Sequence, residues 1–174
     1  MSRKGLLIVN TGNGKGKTTA ALGLAFRALG HGLRVCMIQF IKGPWNYGEL
    51  KASERFEDLL EIHTLGAGFT WESKSLEEDT RIAREAWAFA KETIAEARHD
   101  LLILDELTYL IEYDMIDEAE VVAVLKARPK PMHVVVTGRN ASAGLIEAAD
   151  LVTEMQPVKH PFDGGVQAQR GIEY

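Results

Sequence analysis

The stretch from Leu6 to Ala20, LLIVNTGNGKGKTTA, constrains this chain more than any other. Leu6 to Val9 is a short apolar run of the kind that forms a buried strand. It leads into Gly12, Asn13, Gly14, Lys15 and Gly16, then Lys17, Thr18, Thr19 and a helical pattern. A strand, a glycine-rich turn and Gly-Lys-Thr opening a helix make a phosphate-binding loop. Glycines let backbone N–H groups curl around phosphate oxygens with no Cβ in the way. Lys17 brings a mobile positive charge, the Thr18 hydroxyl is suited to Mg²⁺, and the helix start adds N–H donors and a favourable dipole. The leading glycine of the usual G-x-x-x-x-G-K-[ST] pattern is replaced here by Thr11. The bland alternative, a surface turn that happens to hold glycine and lysine, does not account for the strand and helix on either side.

The rest of the chain alternates strand-like and helix-like runs. Thr18 to Leu29 has an apolar, small-residue face that Gly30 should stop. Arg34 to Ile41 reads as a buried strand, Glu49 to Leu60 as a short helix and Glu61 to Leu65 as a weaker strand. Ser75 opens a long helix whose expected apolar stripe is Ile82, Ala86, Ala90, Ile94 and Ala97. Leu101 to Leu104 is a strand ending in Asp105 and Glu106. Downstream of a phosphate loop, such an acid pair is expected to bind Mg²⁺. Leu107 to Tyr113 gives a helical turn or two. Asp117 and Glu120 stand in capping-box spacing before Glu118 to Ala127. Met132 to Thr137 and Leu151 to Met155 complete the strands, with Asn140 as the expected cap of Ala141 to Ala149. Strand–helix alternation predicts an α/β fold, a parallel sheet with helices on both faces. Ligands bind beyond the carboxyl ends of such strands. The phosphate loop, Lys42-Gly43, the loop Gly66 to Trp71, Asp105-Glu106 and Gly138-Arg139 all fall there.

With 174 residues the chain suits one domain, residues 1–174. A net charge of −5 argues against a general nucleic-acid or anionic-membrane binder. No apolar run approaches membrane-spanning length, and the single cysteine, Cys36, excludes an internal disulfide framework. Both fit a cytoplasmic protein. Cys36 reads as a small core residue. His63 and His133 read as packed or hydrogen-bonded, neither having a metal-ligand partner at useful sequence spacing.

A nucleotide site does not fix a reaction. Hydrolysis would use Glu106 as base for water, and phosphoryl transfer would need an acceptor. Attack on the ribose C5′ carbon needs a strong nucleophile and a dry site, but no base. TGNGKGKTTAA, QFIKG, GFTW, LLILDELTYLIEYD, VVVTGR and the tail VKHPFDGGVQAQRGIEY, in that order along nearly the whole chain, resemble the ATP:corrinoid adenosyltransferases of the CobA/BtuR/CobO type. In that family the absent leading glycine is normal. The resemblance implies a RecA-like P-loop domain, usually a homodimer, that transfers the 5′-deoxyadenosyl group of ATP to Co(I) of a corrinoid and releases triphosphate. It implies that ATP lies in the loop opposite to its usual direction, with Gly12 to Thr18 on the triphosphate and Thr18 and Glu106 on Mg²⁺ or Mn²⁺, Asp105 beside them. It implies that Phe69 and Trp71 face the corrin and help to exclude its lower axial ligand, large rings that supply bulk without a donor atom. Thr19, Arg27, Arg139 and His160 are candidate ATP contacts, and a flavoprotein is a candidate reductant. Members often carry a segment ahead of the first strand that lies over the site. With the first strand so close to Met1, either the protein lacks that segment or the segment has been cut away; if the protein lacks it, the expectation is a more open site and weaker or less selective corrinoid binding. The readings held against this one are a P-loop ATPase or kinase acting at the γ-phosphate, and a nucleotide-binding switch without turnover.

Overall fold

A computed structural model describes residues 4–42, 47–56, 58–66 and 76–174. Six strands form one sheet: β1 (Leu7–Thr11), β2 (Val35–Gln39), β3 (Leu60–Thr64), β4 (Leu101–Asp105), β5 (His133–Thr137) and β6 (Leu151–Glu154). Their order is β3-β2-β4-β5-β1-β6, and every neighbouring pair is parallel. The expected parallel sheet is therefore parallel throughout its described strands.

Sequence explains the layering. β2 and β4 are buried along their whole length, as central strands covered on both faces must be. On one face α1 (Lys17–Leu29) lays Ala21, Ala25, Ala28 and Leu29 against Val35, Met37, Leu101, Ile103 and Val135. Small residues let this helix sit close to the sheet. The 3₁₀ turn that follows α2 (Gly48–Ser53) adds Phe56 to the same cluster. On the opposite face α3 (Leu76–Glu96), α4 (Leu107–Glu112), α5 (Glu118–Ala127) and α6 (Ala143–Ala148) pack over Cys36, Ile38, Leu102, Leu104, Val134 and Val136.

Several local expectations need correction. α3 buries Ala83, Ala86, Trp87, Ala90 and Ile94, so its stripe is centred one residue beyond Ile82, which is only half-buried. Ala97 is exposed and sits past the helix end with φ 54°. Trp87 offers far more area than Ile82 and turns the helix toward itself. Gly30 does end α1, as its C-cap with an ordinary right-handed φ of −61°, and Gly32, with φ 69°, makes the reversal that follows. Asp117 does cap α5 through the Ala119 N–H, but Glu120 completes no capping box and pairs instead with Lys91 of α3 at 2.6 Å. Asn140 does not cap α6. Ser142 does so, while Asn140 adopts φ 50° and donates to Glu112 at 2.7 Å. A Ser-initiated cap leaves Asn140 free for the left-handed turn that asparagine tolerates better than most residues. His133 accepts the Leu6 N–H, as a packed and hydrogen-bonded histidine would.

Candidate active site

The carboxyl ends of β1, β4 and β5 converge on one cavity of about 690 Å³. Asn13, Gly14, Lys15, Gly16, Lys17, Thr18 and Thr19 form one wall, with Glu106, Arg139 and His160 opposite.

The phosphate loop is shaped by what packs behind it. Gly12 has φ 94° and Gly16 has φ 120°. A Cβ on Gly12 or Gly14 would meet the backbone oxygen of Met155 at 2.5 or 2.7 Å, so the chain leaving β6 leaves room only for glycine. The Gly14 N–H donates to that same oxygen at 2.6 Å. Thr11 explains the absent leading glycine. It continues β1 opposite Glu154, lies outside the left-handed region, and its buried hydroxyl accepts the Ala141 N–H at 3.1 Å. Here the glycine-dependent turn begins at Gly12 rather than one residue earlier.

Lys17 folds back over the loop and donates to the carbonyls of Gly12 at 2.8 Å and Gly14 at 2.9 Å. Burial lowers its pKa, and the nearby Glu106 carboxylate opposes that. A buried ammonium resting on two carbonyls is poised to exchange them for phosphate oxygens.

Asp105 ends β4 fully buried. Its Oδ1 accepts from Thr18 Oγ1 and from Thr137 Oγ1, each at 2.8 Å, while the Thr137 oxygen accepts the Glu106 N–H at 3.0 Å. This chain links β4, β5 and α1. Glu106 sits in the left-handed region, φ 65° and ψ 25°, which costs a non-glycine residue about 1 kcal/mol or more. That turn aims its carboxylate at the loop. Gly138, φ 138°, makes room, since a Cβ there would lie 1.9 Å from Thr108 Oγ1 and 3.3 Å from Glu106 Oε2. Burial, and then the charge of Asp105, push the Glu106 carboxyl up to about 7 against the pull of Lys17, Lys42 and Arg139.

Two buried carboxylate oxygens, Asp105 Oδ2 and Glu106 Oε2, have no hydrogen-bond partner. Leaving such groups unpaired is costly unless a ligand completes them. Thr18, by donating its proton to Asp105, keeps its lone pairs available. An oxygen-only set of hydroxyl and carboxylates fits a hard divalent cation such as Mg²⁺ or Mn²⁺.

Lys42 lies between the acids of two elements, 2.6 Å from Glu49 and 3.8 Å from Asp105 Oδ2. Burial works against its charge, but Asp105 and Glu49 outweigh that and raise its pKa. Gln39 donates to Glu49 and accepts from Thr64, tying α2 to the ends of β2 and β3. The cavity continues as an apolar wall of Leu22, Phe26, Phe56 and Ile62 on the α1 face. Phe26 is 73% exposed, unusual for so large an apolar ring.

The structure brings together the loop residues, Thr18, Asp105, Glu106, Arg139 and His160. His160 caps the 3₁₀ turn Pro161–Gly164 by accepting the Phe162 N–H at 3.2 Å. Arg27 is not brought in. It is exposed in the last turn of α1, roughly 15 Å along the helix from Lys17. Phe69 and Trp71 lie outside the described residues. Sequence reasoning missed three contributors. Thr137 and Thr108 lie within the quoted stretches VVVTGR and LLILDELTYLIEYD, but neither was singled out. Gly171, Ile172, Glu173 and Tyr174 line the cavity from the chain's far end, and Glu173 forms an ion pair with Lys15. Only the family-like tail hinted that its last residues reach the site.

A family model, ATP:corrinoid adenosyltransferase BtuR/CobO/CobP, matches residues 3–174. The chain belongs to this family. It is an enzyme that transfers the adenosyl group of ATP to a corrinoid. A corrinoid adenosyltransferase of Sinorhizobium sp is 50% identical over 173 residues, 98% of this chain and 81% of that one. Those of Escherichia coli K12 and Salmonella typhimurium are 48% and 46% identical, again over 98% of this chain and 86% of each relative. The crystal structure of the flagellar accessory protein FlaH from Methanocaldococcus jannaschii superposes with a TM-score of 0.61 at 13% identity, over 87% of this chain and 71% of that one. At that identity the likeness shows the RecA-like P-loop fold alone. No described helix is long and apolar enough to cross a membrane.

Proposed function

We propose that Gly12 to Thr18, with Thr19 at the helix start, hold the triphosphate of ATP, and that triphosphate leaves as one unit. The observation that carries this reading is Glu106 Oε2, buried without a hydrogen-bond partner in a cavity lined by the glycine-rich loop and Lys17, next to Asp105 Oδ2, which also accepts no hydrogen bond. The reaction itself asks little of the protein's acids and bases. Co(I) of the corrinoid attacks C5′, a Co–C bond forms, the C5′–O5′ bond breaks, and its electron pair leaves with the triphosphate. No proton need be removed from the nucleophile. The site has instead to bind, orient and neutralise.

Lys17 exchanges its loop carbonyls for phosphate oxygens, and Lys15, Asn13, Arg139 and His160 surround the chain of phosphates and the ribose. Thr18, Glu106 and Asp105 would hold Mg²⁺ or Mn²⁺, whose charge offsets that building on the departing triphosphate. Glu106 gives up any proton it holds when a cation arrives, because the cation reverses the balance that raises its pKa. The apolar wall of Leu22, Phe26, Phe56 and Ile62 offers a dry surface beside the loop. Phe69 and Trp71 are assigned to the corrin face by family resemblance, where they exclude the lower axial ligand so that Co(II) is more easily reduced. We further assign residues 1–174 to one domain, acting in the cytoplasm as a homodimer supplied with electrons by a flavoprotein.

The test is product analysis of an anaerobic mixture of protein, Mg·ATP and chemically reduced corrinoid, with a control lacking corrinoid. Corrinoid-dependent triphosphate and a light-sensitive Co–C product are expected. ADP and phosphate in both tubes would make Glu106 the base of an ATPase. Phe69→Ala and Trp71→Ala should reduce turnover from Co(II) corrinoid far more than from pre-reduced Co(I). Equal losses would remove the ligand-exclusion role.

A further inference from the structure

The single cysteine lies at a different place from the nucleotide cavity and meets side chains that its sequence neighbourhood does not suggest. β2 and β3 run parallel with Cys36 opposite Glu61 and Ile38 opposite His63. Alternation along a strand puts Glu61 and His63 on one face, the same face as Cys36. A thiol, a carboxylate oxygen and an imidazole nitrogen from these three residues lie within 4.8 Å of one another. His63 is packed against Phe89 and pairs with Glu61 two residues away, and strand pairing adds Cys36.

A fourth group lies against the same carboxylate. His99, in the turn between α3 and β4, places Nε2 3.4 Å from Glu61 Oε1, while His63 Nε2 lies 3.5 Å from Glu61 Oε2. The His99 side chain is only 8% exposed, and its Nδ1 is buried without a hydrogen-bond partner. A half-satisfied buried imidazole turned toward a carboxylate is poorly accounted for by packing alone. Tetrahedral zinc, with bonds of about 2.0–2.3 Å, sets its ligand atoms roughly 3.3–3.8 Å apart. Both histidine–glutamate separations fall in that range, one on each oxygen of Glu61, so the side chains must shift to present one donor atom each to a single ion.

We propose that Cys36, Glu61, His63 and His99 form a binding site for a zinc-class divalent ion, separate from the nucleotide cavity. One thiolate, two imidazoles and one carboxylate suit a borderline-soft tetrahedral ion and disfavour Mg²⁺ and Ca²⁺, which take oxygen donors. Binding displaces the Cys36 proton to solvent. The consequence is mechanical. Among the described residues β3 is an edge strand paired only with β2, and the ion ties it to the turn that enters β4. It clips the sheet edge that carries Thr64 toward the Gln39–Glu49 network.

The experiment is titration of purified, nucleotide-free and corrinoid-free protein with Zn²⁺ by calorimetry, and with Co²⁺ by absorption. The chain has one cysteine, so a sulfur-to-cobalt charge-transfer band can only report Cys36. One equivalent of Zn²⁺ should bind, the band should form, and Zn²⁺ should raise the melting temperature. His63→Gln and His99→Gln should weaken binding by about a hundredfold or more, and His31→Gln should leave it unchanged. His63 and Glu61 are partly exposed, so His63→Gln and Glu61→Gln preserve the fold even if Cys36→Ser does not. No band under excess Co²⁺, or unchanged Zn²⁺ affinity in His63→Gln and His99→Gln, overturns the site.

Discussion

The cavity has two walls built in opposite ways. The wall from β1, β4 and β5 is deep: Lys17, Asp105 and Thr137 are buried, the Asp105 carboxylate is held by Thr18 and Thr137, each dozens of residues away, and the Lys17 ammonium rests on the carbonyls of Gly12 and Gly14 in its own loop. The wall from the chain's last twenty residues is shallow. β6 is exposed at each of its four positions, and nearly everything after it is exposed as well. The first wall is set by folding itself, because its polar groups cannot be buried unless they find one another. The second is laid over the first at modest cost and can be displaced. On the function proposed above, preorganisation for the triphosphate would belong to the sheet, and closure over the nucleotide to the tail.

Lys17→Ala is the hardest test of the deep wall. Loss of one preorganised cation at the departing charge should lower turnover about 10²–10³-fold. Stability should change little or rise, since burial already disfavours that ammonium. Steady-state kinetics beside a thermal melt checks both. A large fall in melting temperature would mean that Lys17 holds the loop together rather than waiting for phosphate.

Glu106 gives a pH signature in metal-free, nucleotide-free protein. Its carboxyl is pushed up to about 7 when folded, against about 4.3 in an unfolded chain. The folded state therefore holds a proton that the unfolded state has lost. Stability from this group is present below pH ~4 and declines as pH rises toward 7, by on the order of 3 kcal/mol. Denaturant melts across that window should show the decline, and Glu106→Gln should flatten it. Saturating Mg·ATP should flatten it too, by giving the carboxylate a cation. An unchanged slope in Glu106→Gln would assign the effect to another group.

Gly138→Ala probes the same wall by volume. The added methyl would meet Thr108 Oγ1 at 1.9 Å at a φ of 138°, and should cost about 1–3 kcal/mol. Because the methyl also crowds Glu106, activity should fall further than stability alone explains. Thr108→Ala in the same chain should restore part of the stability but leave Glu106 crowded.

Legibility followed sequence distance. The strand–loop–helix of Leu6 to Ala20 and the acids closing β4 were readable because each needs only neighbours along the chain. The parallel sheet was readable from its buried apolar runs. What escaped depends on chain segments that meet only in the fold. Gly12 and Gly14 are glycines because Met155 crosses behind them, and Thr11 is no glycine because Ala141 needs its hydroxyl. The α3 stripe was misplaced by one position because Trp87 outweighs Ile82. Ser142, not Asn140, caps α6, since both are capping residues and only the turn chooses. Cys36 meets Glu61 and His63 through strand register, which no spacing rule reports. Arg27 stands apart from the loop for a local reason: the helix carries it to the far end from the loop that starts it.

The tail is the place where the two walls can be separated. Glu173 pairs with Lys15, and a Cβ added to Gly48 would come within 3.8 and 3.9 Å of the Tyr174 carbonyl carbon and oxygen. Both ends of that ion pair are partly exposed, so its worth to folding is about 0–1 kcal/mol. Glu173→Gln should therefore leave the melting temperature of the ligand-free protein nearly unchanged. In the ligand-free chain, however, Glu173 occupies the lysine that phosphate would use. Releasing Lys15 should lower KM for ATP slightly if the contact only competes with phosphate. Removing Gly171 to Tyr174 takes away the covering segment as well, and should raise KM several-fold with kcat less affected. Opposite signs in the two variants would separate competition at Lys15 from closure over the nucleotide. If both lower KM, the tail only obstructs the site, and the shallow wall has no part in binding.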